Sequence, residues 1–318
     1  MLGLMAWGPA YTREALAQNA SKAARLTFLG LGSRSVVENR VASLRQGLSE
    51  LGYREGREYA LDVRAVSAEP GVLSGAAEEL TQAKPDILIT HAGGAAALKR
   101  ATQTIPIVMV SGDAVAAGLV ESLQRPGGNI TGISFLSPEL MAKRLEILSR
   151  AVPGIEDVGL LVVAGYRVTG SVVEAAQEAA RSLKIRVHPV SVSNPQDLQR
   201  AFADFVDQGA RGIVVQDEPM LIANGKQIVE LSAAARLVSV GFLELAGLGG
   251  HMAYSIDFDE LYRRAAQHVV KILQGAKPGD LPVEQPTKFR LLVNAKAMMA
   301  FGVPAPPTLV ALADEVIE

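Results

Sequence analysis

Two kinds of run alternate along the chain. Short apolar blocks such as Leu26-Thr-Phe-Leu-Gly-Leu-Gly32 and Ile105-Pro-Ile-Val-Met-Val110 are too short for helices and end on glycine or polar residues. They read as buried strands. Between them, apolar residues recur at spacings of three and four. Val37, Val41, Leu44, Leu48 and Leu51 lie on one helix face, and Gly52 stops it. The pattern predicts strand 26–32, helix 36–51, strand 60–66, helix 71–83, strand 86–90, helix 95–102 and strand 105–110. It restarts after residue 136 with helix 138–150, strand 157–163, helix 170–183, strand 185–190, helix 195–208, strand 212–216, helix 221–235 and strand 237–240.

Strands alternating with helices imply parallel sheets. Lys84–Thr90 corresponds in role to Ala210–Gln216, and Ile105–Val110 to Leu237–Val240, so the chain reads as two similar α/β halves. Three extended segments, 128–134, 250–257 and 281–287, read as crossings between them. Helix 258–274 then packs on the first half, while strand 288–293 and the C-terminal helices rejoin the second. The expected fold is α/β, with two doubly wound parallel-sheet domains joined by three crossover hinges. Residues 25–133 with 256–282 form one lobe, and 134–255 with 283–318 form the other.

Composition narrows the function. The 318 residues suit two domains; 49% are apolar and 20% charged, enough for full cores. A net charge of −2 gives no footprint for nucleic acid. The absence of cysteine removes thiol chemistry, disulfides and cysteine-ligated zinc. No apolar run is long enough to span a membrane. Residues 1–24 read as a leader: Leu2–Trp7 is apolar and Ala15-Leu-Ala17 has the A-x-A form of a cleavage site, but a basic start is missing. A signal-peptide remnant is the favoured interpretation, and an ordinary leader is the alternative.

Catalytic signatures fail in turn. Gly30-Leu-Gly32 begins a dinucleotide fingerprint, but Ser35 stands at the third glycine. Gly225-Lys226 lacks the upstream glycine of a phosphate loop, and no G-x-S-x-G occurs. The histidines at 91, 188, 251 and 268 have neither acid–base nor metal spacing. No enzyme activity, metal or cofactor is expected. Asp257, Asp259 and Glu260 read as a helix start, and Arg263-Arg264 as a solvated face.

Open parallel sheets bind ligands beyond the carboxyl ends of their strands. That rule selects Gly32, Ser33, Arg34, His91, Gly93, Gly94, Ser111 and Asp113 from the first half, and Tyr166, Asp217, Phe242 and Tyr254 from the second. Gly32-Ser33-Arg34 suits a ligand carboxylate at a helix N-terminus or is a turn capped by Ser33 or Ser35. His91 is a donor to a polar ligand or a packed turn residue. Asp113 and Asp217 follow buried strands of different halves and suit a ligand ammonium, or cap the next helices. Tyr166, Phe242 and Tyr254 suit a flat ligand or ordinary packing.

The chain resembles the ABC-transporter substrate-binding proteins, a family that includes binders of tryptophan and other aromatic amino acids. The resemblance rests on Ser43–Tyr53, on Arg125-Pro-Gly-Gly-Asn-Ile-Thr-Gly132, on Lys271–Pro278 and on Asp280-Leu-Pro-Val-Glu-Gln-Pro-Thr-Lys-Phe289. It covers about residues 25–318. It implies a type I periplasmic-binding-protein-like fold and a solute receptor of an ABC importer. Such a receptor is exported to the periplasm, is monomeric and delivers its solute to permease and ATPase subunits. It closes like a clamshell on a small molecule, here an aromatic amino acid or related carboxylate. Two loops depart from the family: Ala164–Thr169 stands where Asn-Pro-x-Asn is frequent, and His91 follows Thr90 where a small hydroxyl residue is usual. The alternative function is a ligand-sensing domain acting through a separate signalling partner.

Overall fold

The computed structural model describes residues 23–318 apart from residues 33, 68, 69, 92 and 166; residues 1–22 of the expected leader, Ser33 and Tyr166 thus lie outside the described residues, and the first strand takes in Ala24 from the leader's end. Five parallel strands build the first sheet: β1 (Ala24–Leu31), β2 (Tyr59–Val66), β3 (Ile87–His91), β4 (Ile107–Ser111) and β5 (Ile130–Ser134), in the order β2-β1-β3-β4-β5. Helices α1 (Arg34–Glu50), α2 (Pro70–Gln82) and α3 (Gly93–Ala101) connect them. β3, β4 and β5 are buried along their whole length, as strands covered on both faces must be.

The second lobe starts with α4 (Ser137–Ala151). It continues through β6 (Asp157–Val163), α5 (Arg167–Leu183), β7 (Arg186–Val192), α6 (Leu198–Asp207), β8 (Gly212–Val215), α7 (Pro219–Ala223) and α8 (Gly225–Ala234). Then come β9 (Val238–Gly241), α9 (Leu243–Gly247) and β10 (Met252–Ser255). The strands β7-β6-β8-β9-β10 repeat the order of the first sheet, which bears out the correspondence between halves. After α10 (Phe258–Leu273), the chain adds β11 (Arg290–Asn294), α11 (Ala295–Phe301), α12 (Pro307–Leu312) and β12 (Glu315–Ile317); β11 runs antiparallel to β10.

The helix expected over 221–235 is two helices meeting at Asn224, whose side-chain amide donates to the Met220 carbonyl at 2.7 Å. The helix expected over 195–208 opens with a 3-10 turn capped by Asn194, which accepts from the Gln196 amide at 3.0 Å. β12 was not anticipated: three residues carry no readable alternation.

Helix α10 belongs by packing to the first lobe. It lies along α1, and the two backbones meet at Gly47, where an added methyl would overlap the Arg263 carbonyl oxygen. Asp257 starts α10 by accepting from the amides of Asp259 and Glu260, as the acidic run implied. The chain therefore passes between lobes at residues 134–137, 255–258 and 281–290. The first and third passages are tied together. The Glu284 amide donates to the Gly132 carbonyl and the Ser134 amide to the Glu284 carbonyl, both at 2.9 Å.

Candidate ligand-binding site

The carboxyl ends of β1, β3 and β4 face the β8–α7 turn of the second lobe. A Cβ built on Gly32, which has φ +102°, would sit 3.4 Å from the Pro219 Cβ, so the lobes meet there. Beside this contact lies a cavity walled by Arg40, His91, Val110, Gly112 and Phe135 from one side. Asp217, Glu218, Pro219 and Ile222 wall it from the other, and Phe258 stands at the base of α10. Its volume is about 20 Å³, space for roughly one water molecule.

Arg40 sits in the buried stripe of α1, three residues after Val37 and four before Leu44. Its guanidinium carbon is 4.7 Å from the Phe258 ring centroid and 5.6 Å from that of Tyr262. No carboxylate among the described residues forms an ion pair with it. Aromatic faces offset part of the desolvation of such a cation, but a buried charge without a counter-ion favours an anion placed against it.

The opposite wall carries two acids with different partners. Asp217 is locked into the second lobe. Its Oδ1 accepts from Arg144 Nη2 at 2.8 Å and from Ser255 Oγ at 2.7 Å, and its Oδ2 lies 2.7 Å from Arg144 Nη1. Arg144, fully buried on α4, also donates to the carbonyls of Val215 and Tyr254, so one guanidinium ties the ends of β8 and β10 together. Glu218 is also buried, yet its Oε2 has no hydrogen-bond partner among the described residues. Burial, then the neighbouring Asp217 charge, push its carboxyl up to about 8 against the opposing pull of Arg40.

His91 is neutral. Its Nε2 accepts from the Leu31 amide at 3.0 Å, which leaves the ring proton on Nδ1, and burial followed by the Arg40 charge hold its pKa well below the usual histidine range.

The structure thus brings His91 and Asp217 together at the cavity and places Gly32 at the lobe contact. The other expected residues lie elsewhere. Arg34 is exposed and paired with Glu38 at 2.7 Å. Gly93 and Gly94 open α3, with Gly94 packed on Thr90. Ser111 is buried, and its carbonyl accepts from the Phe135 amide at 2.9 Å, which positions that ring in the wall. Asp113 accepts from the amides of Val115 and Ala116 and so caps a turn. Phe242 is wholly enclosed in the second lobe's core, and Tyr254 stacks on Phe289 at 5.8 Å. Arg40, Glu218, Phe135 and Phe258 escaped the sequence reading. The one available signal was an arginine standing in register with an apolar helix stripe.

The model of the ABC transporter substrate binding protein family matches residues 33–317. The chain belongs to this family. This substrate-binding protein is 24% identical over 266 residues to the tyrosine-binding protein of Clostridioides difficile (strain R20291), covering 80% of this chain and 74% of that one. Its fold matches an ABC domain from Streptococcus pneumonia solved in complex with L-Trp, at TM-score 0.84 and 21% identity over 92% of this chain and all of the other. It also matches the ligand-free, open structure of a substrate binding protein with adhesive properties from Clostridium difficile, at TM-score 0.65 and 20% identity over 90% and 97% of the two chains. Proteins of this family bind substrates and are not enzymes, and they typically reside in the periplasm or otherwise outside the cytoplasm. Among the described residues, no helix is long and apolar enough to cross a membrane, and no three candidate metal ligands cluster.

Proposed function

We propose that this substrate-binding protein is the receptor of an ABC importer that captures an aromatic amino acid between its lobes. The observation that carries the proposal is Arg40, a buried cation with no carboxylate partner among the described residues, set against aromatic rings at the lobe interface. A ligand carboxylate supplies the missing counter-ion through a charge-assisted, bidentate contact, and Phe135 and Phe258 offer ring faces for an aromatic side chain. The relatives that bind tyrosine and tryptophan support the same ligand class.

Capture proceeds by closure. A cavity of about 20 Å³ holds no amino acid, so the lobes must part to admit one. The protein is more similar to the L-Trp complex than to the ligand-free, open structure, which supports reading its conformation as closed. Ligand that binds the closed form better draws the population toward it. The lobe boundaries, 25–133 with 256–282 and 134–255 with 283–318, are part of this proposal. So are export to the periplasm under a leader within residues 1–24, and delivery to a permease and its ATPase.

Titration calorimetry with L-tyrosine, L-tryptophan and L-phenylalanine tests the ligand class. Saturable binding of at least one, weakened about 30-fold or more in Arg40→Met, is the expected result. Binding left unweakened by that substitution, or no binding of any of the three, overturns the reading.

A further inference from the structure

We propose that Glu218 is the residue that selects ligands carrying a primary ammonium group, and that it surrenders a proton to solvent as the ammonium docks. The inference rests on the reading of the cavity as an amino-acid site. Both carboxyls on the cavity wall are buried with one oxygen outside any hydrogen bond, but Asp217 is ion-paired with Arg144 through that oxygen and accepts from Arg144 and Ser255 at the other, whereas Glu218 has no ion pair among the described residues. It faces Arg40 across the lobe interface. A zwitterion held with its carboxylate on Arg40 therefore presents its ammonium toward Glu218, and the two anchors come from different lobes. Only the closed protein offers both.

The charged and titratable groups around Glu218 decide its state. On its own turn stands Asp217, paired with Arg144 from α4 behind it. From α1 comes Arg40, from β3 the neutral His91, from α10 Tyr262, and from α9 Glu244, whose carboxyl burial also pushes upward. Without ligand the only uncompensated charge among these is Arg40, and Glu218 holds its proton at neutral pH. Docking changes the balance. The ligand carboxylate cancels the Arg40 field, and the ligand ammonium stands where an anion is worth most. The Glu218 O–H bond breaks, its proton leaves to water, and the carboxylate accepts an N–H from the ammonium. No electron transfer and no co-reactant are involved.

The consequence is a binding constant tied to pH. Below the Glu218 pKa of about 8, each added pH unit tightens amino-acid binding by about tenfold, because one proton is displaced per ligand. Above it the dependence flattens. A ligand with the carboxylate and ring but no ammonium displaces no proton.

The test is titration calorimetry of the full chain at pH 6, 7 and 8 in two buffers of different ionisation enthalpy. The ligands are L-tyrosine, L-tryptophan and their des-amino analogues, 3-(4-hydroxyphenyl)propanoate and indole-3-propanoate. For the wild type, release of nearly one proton per amino acid at pH 7 and none per des-amino acid is expected. Glu218→Gln, nearly the same in shape, is expected to lose both proton release and pH dependence for the amino acids. It should bind them at least about tenfold more weakly and keep its affinity for the des-amino acids. Amino-acid binding by the wild type without proton release overturns the proposal. So does a Glu218→Gln protein that loses amino acids and des-amino acids alike, which is what a packing role produces. If neither aromatic amino acid binds, L-leucine and L-lysine replace them. Proton release and Glu218 dependence with either of these keeps the ammonium role and rejects only the aromatic ligand class; their absence from the two overturns both readings.

Discussion

Arg40 and Glu218 sit where a folding chain gains little from them. Both are buried at the lobe interface, and neither forms an ion pair among the described residues. Replacing Arg40 with methionine should raise the dissociation constant of a carboxylate ligand by a factor of about 30 or more, the ~2 kcal/mol or greater cost of losing a buried charge partner. The melting temperature of the ligand-free protein should hold or rise, which differential scanning calorimetry will show. Glu218 has a second signature. Its folded pKa of about 8 exceeds the ordinary 4.5, so the native state binds a proton that the unfolded chain has lost. Ligand-free stability therefore falls as pH rises from 4.5 to about 8. Glu218→Gln should remove that slope and leave the variant more stable at pH 7 by an amount on the order of 3 kcal/mol. His251 acts with the opposite sign. Burial lowers its pKa to about 4, so its contribution is lost as pH falls from 6.5 toward 4. Denaturant titrations across pH 4–8 should show both flanks. Of this chemistry the sequence exposed only the neighbourhood. His91, Asp217 and Gly32 are found by counting to the ends of strands. Arg40 was hidden because an arginine within an apolar stripe is by default assigned to solvent. Glu218 was hidden because adjacent residues on a turn point in different directions, and only the packed structure shows Asp217 engaged by Arg144 and Ser255 while Glu218 Oε2 has no hydrogen bond among the described residues.

At the scale of elements, local pattern and long-range packing separate cleanly. The strands and most helices were legible because each buries one apolar face or block of the right length, and the periodicity reports that burial directly. The break at Asn224 was not, since Leu221, Ile222 and Ile228 are apolar on both sides of it and continue one helical pattern. Gly47 was equally silent: within α1 it looks like a weak helix residue. Its role is to let α10 approach, the contact by which a segment 210 or so residues later returns to the first lobe. Gly47→Ala should destabilise the protein by about 1–3 kcal/mol or more through overpacking, read as a lower denaturant midpoint with an unchanged slope. Breaking the Arg144–Asp217 pair should cost more. Arg144→Met leaves a buried carboxylate uncompensated, a penalty of about 3–5 kcal/mol, and frees the ends of β8 and β10 that the guanidinium ties together.

For the whole molecule, the repeated strand order places the carboxyl ends of the two sheets against each other, and three chain passages join the lobes. Small-angle scattering should show a larger radius of gyration without ligand than at saturation. Because the chain has no cysteine, thiol labels introduced one per lobe can follow the same motion without interference. The size of the cavity also bears on the kinetics of the proposed closure. A chamber of about 20 Å³ is smaller than any amino acid and has the lobes in contact at Gly32 and Pro219, so under the proposed closure a solute enters and leaves only with the lobes parted. Exchange must wait for the lobes to part, so the residence time of every tight ligand is bounded below by the waiting time for opening. Competing solute in the medium cannot shorten it; only a device that pries the lobes apart can.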